Sequence, residues 1–223
     1  MRVVLSPRAE ALARGLEVAE TLAGSKVGVA VLSRLGARNL RRPLSRAEVQ
    51  AVRGALQGAE PLNGPPSWPP PVADDELLVG YVCAGTALPG GRPAGVWSVV
   101  VTDHVNLTWR SPLTGPNDER FGPRFPVVAG AYRPEAVPAL AEGGSILGVV
   151  AGVRDDRRLT AFEAAVVVRH GIQAVSSELV AVSILAAHMG LRVAAIVVVD
   201  GICEMPAGAG LADGASKSLE RSG

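Results

Sequence analysis

The residues able to do acid or base chemistry are few, and they sit at the ends of apolar runs. Glu178 opens LVAVSILAAHM, Asp200 closes LRVAAIVVV, and Asp155, Asp156 and Glu204 lie close to such ends. Carboxylates whose pKa values are pushed apart by burial can serve as a general acid and a general base. The same groups have plainer uses. Glu178 could cap the helix it opens, Asp200 could pair with Arg34, or both could simply contact a ligand. His104, His170 and His188 include no pair with ligand spacing, so neither a metal site nor a cofactor is expected. His170 and His188 fall near helix C-termini, where an imidazole suits the dipole. Cys83 and Cys203 form no C-x-x-C. Cys83, at the end of an apolar run, suits a small buried hydrophobe better than a reactive thiolate.

These groups need elements to hold them. Ser6 before Pro7 predicts a helix start, with the run ALARGLEVAETLAG behind it. SRAE at 45–48 and TAFE at 160–163 are capping boxes, the second leading to AAVVVRHG with Gly171 as the left-handed stop. A further helix is expected from about Glu178 to Met189, ended by Gly190. Continuous β-branched runs at 26–32, 76–83, 95–102, 145–150 and 191–199 suit strands covered on both faces. Strands alternating with helices predict an α/β fold around a mixed, largely parallel central sheet flanked by helices. Two stretches are expected as loops: the proline-rich 61–75 and the polar 103–126.

Composition excludes several functions. The chain has 223 residues, 48% of them hydrophobic and 19% charged, so a single domain over 1–223 can bury its own core. With 22 basic against 21 acidic residues, it offers no footprint for nucleic acid or an anionic membrane. Apolar runs such as 193–199 fall far below the roughly 18 residues of a membrane span. MRVVLSPRAE carries no signal-peptide run, so the expected location is the cytoplasm.

One stretch is more specific. TDHVNL followed by SPLTGPNDERFGPRFP closely resembles the signature of the trimeric purine nucleoside phosphorylases. Other pieces follow in the same order. GVAVLSRLG (28–36) resembles the first strand and its phosphate loop, and VCAGTAL (82–88) resembles the family's NAAGGL. The stretch from VVAG through SSELVAVSILAAHMGLRVAAIVVVDG (176–201) resembles the segment that runs from VAGPSFET past GMSTVPE. The resemblance spans most of 26–205. It implies a nucleoside phosphorylase-like fold and a homotrimer. It also implies a small-molecule pocket at subunit boundaries, with Phe121 reaching into a neighbour's pocket and His104 near the contact.

The resemblance also shows which groups have changed. Ser33 keeps the hydroxyl of the family's phosphate loop, but Leu32 and Arg34 replace its glycines and remove close backbone approach. The arginine and histidine of an R-F-H segment have no counterpart in 40–80. Glu178 stands where the family has a phosphate-binding serine, so a carboxylate meets a helix N-terminus that would attract an anion. Leu159 aligns with the purine-binding glutamate, Asp200 and Gly201 with the threonine and asparagine that contact the base, and Ser177 with a methionine beside the sugar. Ala84 and Gly85 keep pocket positions.

The implied function is a diverged enzyme that has lost phosphate-dependent nucleoside cleavage. Its pocket would serve a cyclisation, elimination, isomerisation or hydrolysis, with Glu178 and Asp200 as acid and base and Ser33, Arg34, Ala84, Gly85, Ser177, Leu159, Phe121 and His104 around the substrate. A shortened segment at 206–223 agrees with that loss. Lysine occurs only at 26 and 217, which suits a GC-rich bacterial source and a role in specialised metabolism. The alternatives are a non-catalytic binding subunit of the same fold and a genuine purine nucleoside phosphorylase.

Overall fold

Leu78–Ala87 is the spine of the structure. In the computed structural model, which describes residues 2–10, 18, 29–31, 78–88, 98–137, 144–204 and 206, this run is a ten-residue strand with nine buried positions. The strands are β1 (Arg2–Leu5), β2 (Val29–Val31), β3 (Leu78–Ala87), β4 (Ser98–Asn106), β5 (Ser145–Gly152), β6 (Ala174–Ser176) and β7 (Arg192–Ile202). The helices are α1 (Pro7–Glu10), α2 (Ala161–Arg169) and α3 (Leu179–His188), with a 3-10 turn at Pro134–Ala136.

The sheet order is β2-β1-β3-β6-β5-β4-β7, and β7 also pairs with β3. Strands β3, β6, β5, β4 and β7 therefore close into a ring, with β1 and β2 extending from β3. The β3–β6 and β4–β7 pairings are antiparallel and the others parallel, so the mixed, largely parallel α/β sheet expected from the sequence is present. Alternate residues of β3 and β7 face two different cores. Tyr81, Cys83, Val193, Ala195 and Val197 pack with α3, whereas Val82, Ala84, Ala194, Ile196 and Val198 pack with the β1–α1 segment.

The local signals did their expected work. Ala9 N donates to Ser6 Oγ at 3.1 Å, so Ser6 caps α1. Thr160 and Glu163 form the reciprocal capping box of α2, and Gly171 (φ +59°) and Gly190 (φ +74°) turn the chain after α2 and α3. The capping box at 45–48, the proline-rich 61–75, and nearly all of 206–223 lie outside the described residues.

Three features differ from the sequence reading. β1 and β6 were not expected, because three or four residues are too short for a periodicity. Strands β3 and β7 run several residues further than predicted. The loop placed at 103–126 begins only after Asn106. Residues Asp103–Asn106 pair with Val149–Gly152 in β5, because a bulge at Thr102 carries the strand past its polar residues. Simple alternation from Val99 and Val101 would have buried Asp103. The extra residue flips the pattern, exposing Asp103 and aiming His104 at the core.

Gly85 sits where β3, β6 and β7 approach closely. A Cβ there would lie 2.5 Å from Val175 O and 2.6 Å from Val197 Cγ1. On an open strand Gly→Ala would stabilise, but here we expect Gly85→Ala to lose about 1–3 kcal/mol through overpacking. Urea denaturation followed by circular dichroism reads the sign. A gain would mean that the β3–β6–β7 seam has slack.

Candidate functional site

β1 and β6 meet head to head along one edge of β3. β1 climbs parallel to it as far as Leu5↔Val82, and Ser6 N donates to Val82 O at 2.9 Å. β6 descends antiparallel from Ala87↔Ala174 to Thr86↔Val175. On this edge, between the two pairings, Ala84 meets no described strand, although on the other edge it lies in register with Val198 of β7. Ligands of α/β sheets gather where strand ends part in this way. Here side chains of the chain itself fill the gap. Ser176 Oγ donates to Ala84 O at 2.7 Å, and Glu178 Oε2 accepts from Ala84 N at 2.9 Å.

Glu178 is fully buried. Its Oε2 also accepts from Ser6 Oγ at 2.8 Å, so one serine ties the start of α1 to this carboxyl. Glu178 is the N-cap residue of α3, yet its side chain makes no bond to that helix, which sets the capping role aside. Among the described residues Oε1 has no hydrogen-bond partner. Burial pushes the carboxyl above the ordinary glutamate range. The Ala84 N–H, the Ser6 hydroxyl and Arg8 pull it partly back, and Asp156 adds to the rise. A backbone N–H, a hydroxyl and a guanidinium beside a helix N-terminus are the donors of an anion receptor. In this chain an internal carboxyl occupies it.

Beside Glu178 runs a chain of alternating charges. Arg8 Nη1 donates to Asp156 Oδ2 at 2.6 Å, and Arg8 Nη2 lies 3.6 Å from Asp200 Oδ2. Arg157 pairs with the Asp200 carboxylate through Nη2 and donates from Nη1 to Asp200 O at 2.7 Å. Asp156, nearly inaccessible, also accepts from Ser177 N at 3.2 Å, while its carbonyl receives the Thr86 hydroxyl. Asp200 reaches this chain through a bulge. Gly85 faces Val199 and Ala87 faces Ile202, so Asp200 and Gly201 together oppose Thr86. Gly201 takes φ +92°, and a Cβ there would crowd Arg157 Nη1 at 3.1 Å.

The structure brings Glu178, Asp200, Asp156, Ser177, Ala84 and Gly85 to this junction. Ser33 and Arg34 lie outside the described residues, and among the described residues Asp200 pairs with Arg157 and Arg8. Leu159, expected against the substrate, is 3% exposed and belongs to an apolar cluster with Leu107, Val167 and Cys203. Glu204 forms an exposed pair with Arg158 at 2.8 Å, and Asp155 accepts from Arg157 N at 3.0 Å. Cys83 is buried behind Glu178, 3.9 Å from Ser176 Oγ, and burial with the Glu178 charge drives its thiol well up. Burial pushes the Cys203 thiol to about 11, so neither is a ready thiolate.

His104 Nδ1 lies 2.7 Å from Tyr132 Oη in an edge-on ring contact, and burial lowers its pKa against the pull of Asp103. His170 caps the C-terminus of α2. His188, fully buried at the end of α3, bonds through Nδ1 to Pro123 O at 2.8 Å and so anchors the 116–126 segment. Phe121 is half-buried against this chain's own core, while Trp109 and Phe125 are 75% and 83% exposed. Among the described residues no group of three His, Cys, Asp or Glu could hold a metal ion, and no helix is long and apolar enough to cross a membrane.

Sequence reasoning missed Ser6 and Arg8 as site residues. Ser6 was legible as a cap, but nothing local says that it lies beside Glu178. Arg157 stood within VRDDRR, where only the aspartates drew attention.

The family model described as Phosphorylase superfamily matches residues 97–221. The purine nucleoside phosphorylase of Mus musculus is 36% identical over 134 residues, covering 53% of this chain and 44% of the relative. That of Anopheles gambiae is 29% identical over 143 residues, covering 57% of this chain and 39% of the relative. The matched region thus spans about two fifths of these relatives' length. A solved structure of Schistosoma mansoni purine nucleoside phosphorylase in complex with inosine superposes with a TM-score of 0.49 at 26% identity, covering 56% of this chain and 48% of that one. The match to the family model takes in the β4 motif, the Glu178 helix and the Asp200 strand, and on it the chain belongs to the phosphorylase superfamily.

Proposed function

We propose that this chain is a diverged nucleoside phosphorylase-like enzyme that works without phosphate and performs acid/base chemistry on another small molecule. The observation that carries the reading is the buried Glu178 carboxyl held by Ser6 Oγ and Ala84 N, since these donors are then spent on the protein's own group. Glu178 acts as the acid, giving its Oε1 proton to a substrate oxygen. Asp200, partly exposed and oriented by Arg157, acts as the base. Exposed Trp109 and Phe125 support assembly with further copies of the chain around the pocket. The proposed setting is a bacterial cytoplasm, in the tailoring of a specialised metabolite.

A second reading draws on the same geometry. Glu178 has no exposed surface and Asp200 is ion-paired, as they would be in a non-catalytic binding subunit. Glu178→Gln and Asp200→Asn separate the two: the enzyme loses turnover with its assembly mass unchanged, while the binding subunit behaves as its parent does.

With inosine or guanosine and phosphate, the protein is expected to release no free base above background. Glu178→Ser vacates the receptor, and phosphate should then raise the melting temperature of that variant but not of the parent. Phosphate-dependent base release by the parent would make the chain a genuine phosphorylase.

A further inference from the structure

Two buried polar atoms of this cluster, Glu178 Oε1 and Arg8 Nη2, have no hydrogen-bond partner among the described residues. Native interiors rarely leave such atoms unpaired, and those that remain call for an explanation. Glu178 Oε2 already accepts two hydrogen bonds, from Ser6 Oγ and Ala84 N. A neutral carboxyl therefore carries its proton on Oε1, which turns that atom from an empty acceptor into a donor. Arg8 Nη2 is a donor too, and it lies 3.6 Å from Asp200 Oδ2, beyond hydrogen-bond distance.

We propose that this cluster receives a ligand with an uncharged carbonyl oxygen, as in a ketone, amide or lactam, which accepts from Glu178 Oε1–H and Arg8 Nη2–H together. This deepens the phosphate-independent reading and rests on it. A carbonyl oxygen accepts two donors and has no proton of its own to place, whereas a hydroxyl would need a further acceptor. The local charge argues for a neutral ligand. Arg8 and Arg157 are balanced by Asp156 and Asp200, so an anion gains no net attraction, and a cation would face two donors. The groups facing the Glu178 carboxyl agree with its neutral form. They are Ser6 and Arg8 from the β1–α1 segment, Tyr81, Cys83 and Ala84 from β3, and Asp156 from the segment after β5. Burial outweighs the single guanidinium among them.

Ligand-observed NMR tests the receptor with small probes: cyclopentanone, 2-pyrrolidinone, cyclopentene (similar in shape but without the oxygen), butyrate and inorganic phosphate. The two carbonyl probes should bind and compete with each other, and cyclopentene should not displace them. Glu178→Gln keeps a donor amide at the Oε1 position and should retain binding, while Glu178→Leu and Arg8→Gln should weaken it about tenfold or more. Infrared spectra of protein labelled with 13C-glutamate should show a protonated carboxyl above the ordinary glutamate range, absent in Glu178→Gln. Should the leucine variant fail to fold, the cyclopentene comparison and the glutamine variant still decide. Equal binding of cyclopentene, preference for butyrate or silence of every probe overturns this inference and leaves the phosphate-independent reading standing, whereas lack of the protonated band overturns it and also removes Glu178 as the acid of that reading. Phosphate binding by the parent sinks both.

Discussion

Arg8→Met is expected to lower the stability of the folded chain by about 3 kcal/mol, the lower end of the range for removing one partner of a buried ion pair, because Arg8 is itself 15% exposed. The Asp156 side chain is only 3% exposed, and Arg8 supplies its positive charge at 2.6 Å. Without Arg8 this carboxylate is left in the interior without its charged partner. Ser177 N and the Ser177 hydroxyl soften the loss but bring no charge. The double variant Arg8→Met, Asp156→Asn should recover much of the deficit, because an asparagine oxygen still accepts from Ser177 N and no charge remains buried. Urea denaturation of the parent, the two singles and the double gives the coupling directly. A single-variant loss below about 1 kcal/mol would mark the pair as no stronger than a surface contact. Among the described residues, the tie between α1 and the sheet would then rest on Ser6 and on the apolar packing of Ala9.

The second large effect is in pH. With its carboxyl raised by burial, Glu178 keeps its proton in the folded chain after the unfolded chain has lost it. Below the ordinary glutamate range both states are protonated and the group is neutral to stability. As pH rises from there, the unfolded state gains by ionising, and stability falls by about 1.4 kcal/mol per pH unit until the folded carboxyl ionises as well. Glu178→Gln removes that slope. The variant should therefore gain on the parent steadily as pH rises, and the two should run parallel again above the folded pKa. Melting temperatures across a pH series suffice to read it. Parallel curves throughout would mean that Glu178 ionises normally, and the proposed acid would be lost with them.

Much of the architecture was legible because its signals are local. Ser6, the Thr160–Glu163 box, Gly171 and Gly190 act within one helical turn, and the apolar runs of β3, β4, β5 and β7 announce buried strands by composition alone. β1 and β6 gave no such signal. They are short strands stabilised by the edge of β3 to which they pair, and that edge is nowhere near them in sequence. The bulges were equally hidden. An extra residue in a ladder exists only relative to its partner strand, so neither the inward turn of His104 nor the placement of Asp200 could be read from period-2 patterning.

The candidate site divides the same way. Residue types settled which groups could carry protons, and helix and strand ends put Glu178 and Asp200 among them. The sequence alone also shows a carboxylate at the head of α3, where an anion would otherwise be welcome. Its partners could not be derived from it. Ser6 and Glu178 are separated by 172 positions, and Arg8 and Asp156 by 148. Whether Glu178 capped its own helix or reached across to β3 depended on the gap between β1 and β6, which offered it the Ala84 N–H and the Ser6 hydroxyl. The same long-range packing set the degree of burial, and burial, rather than residue identity, raises this glutamate above its ordinary range.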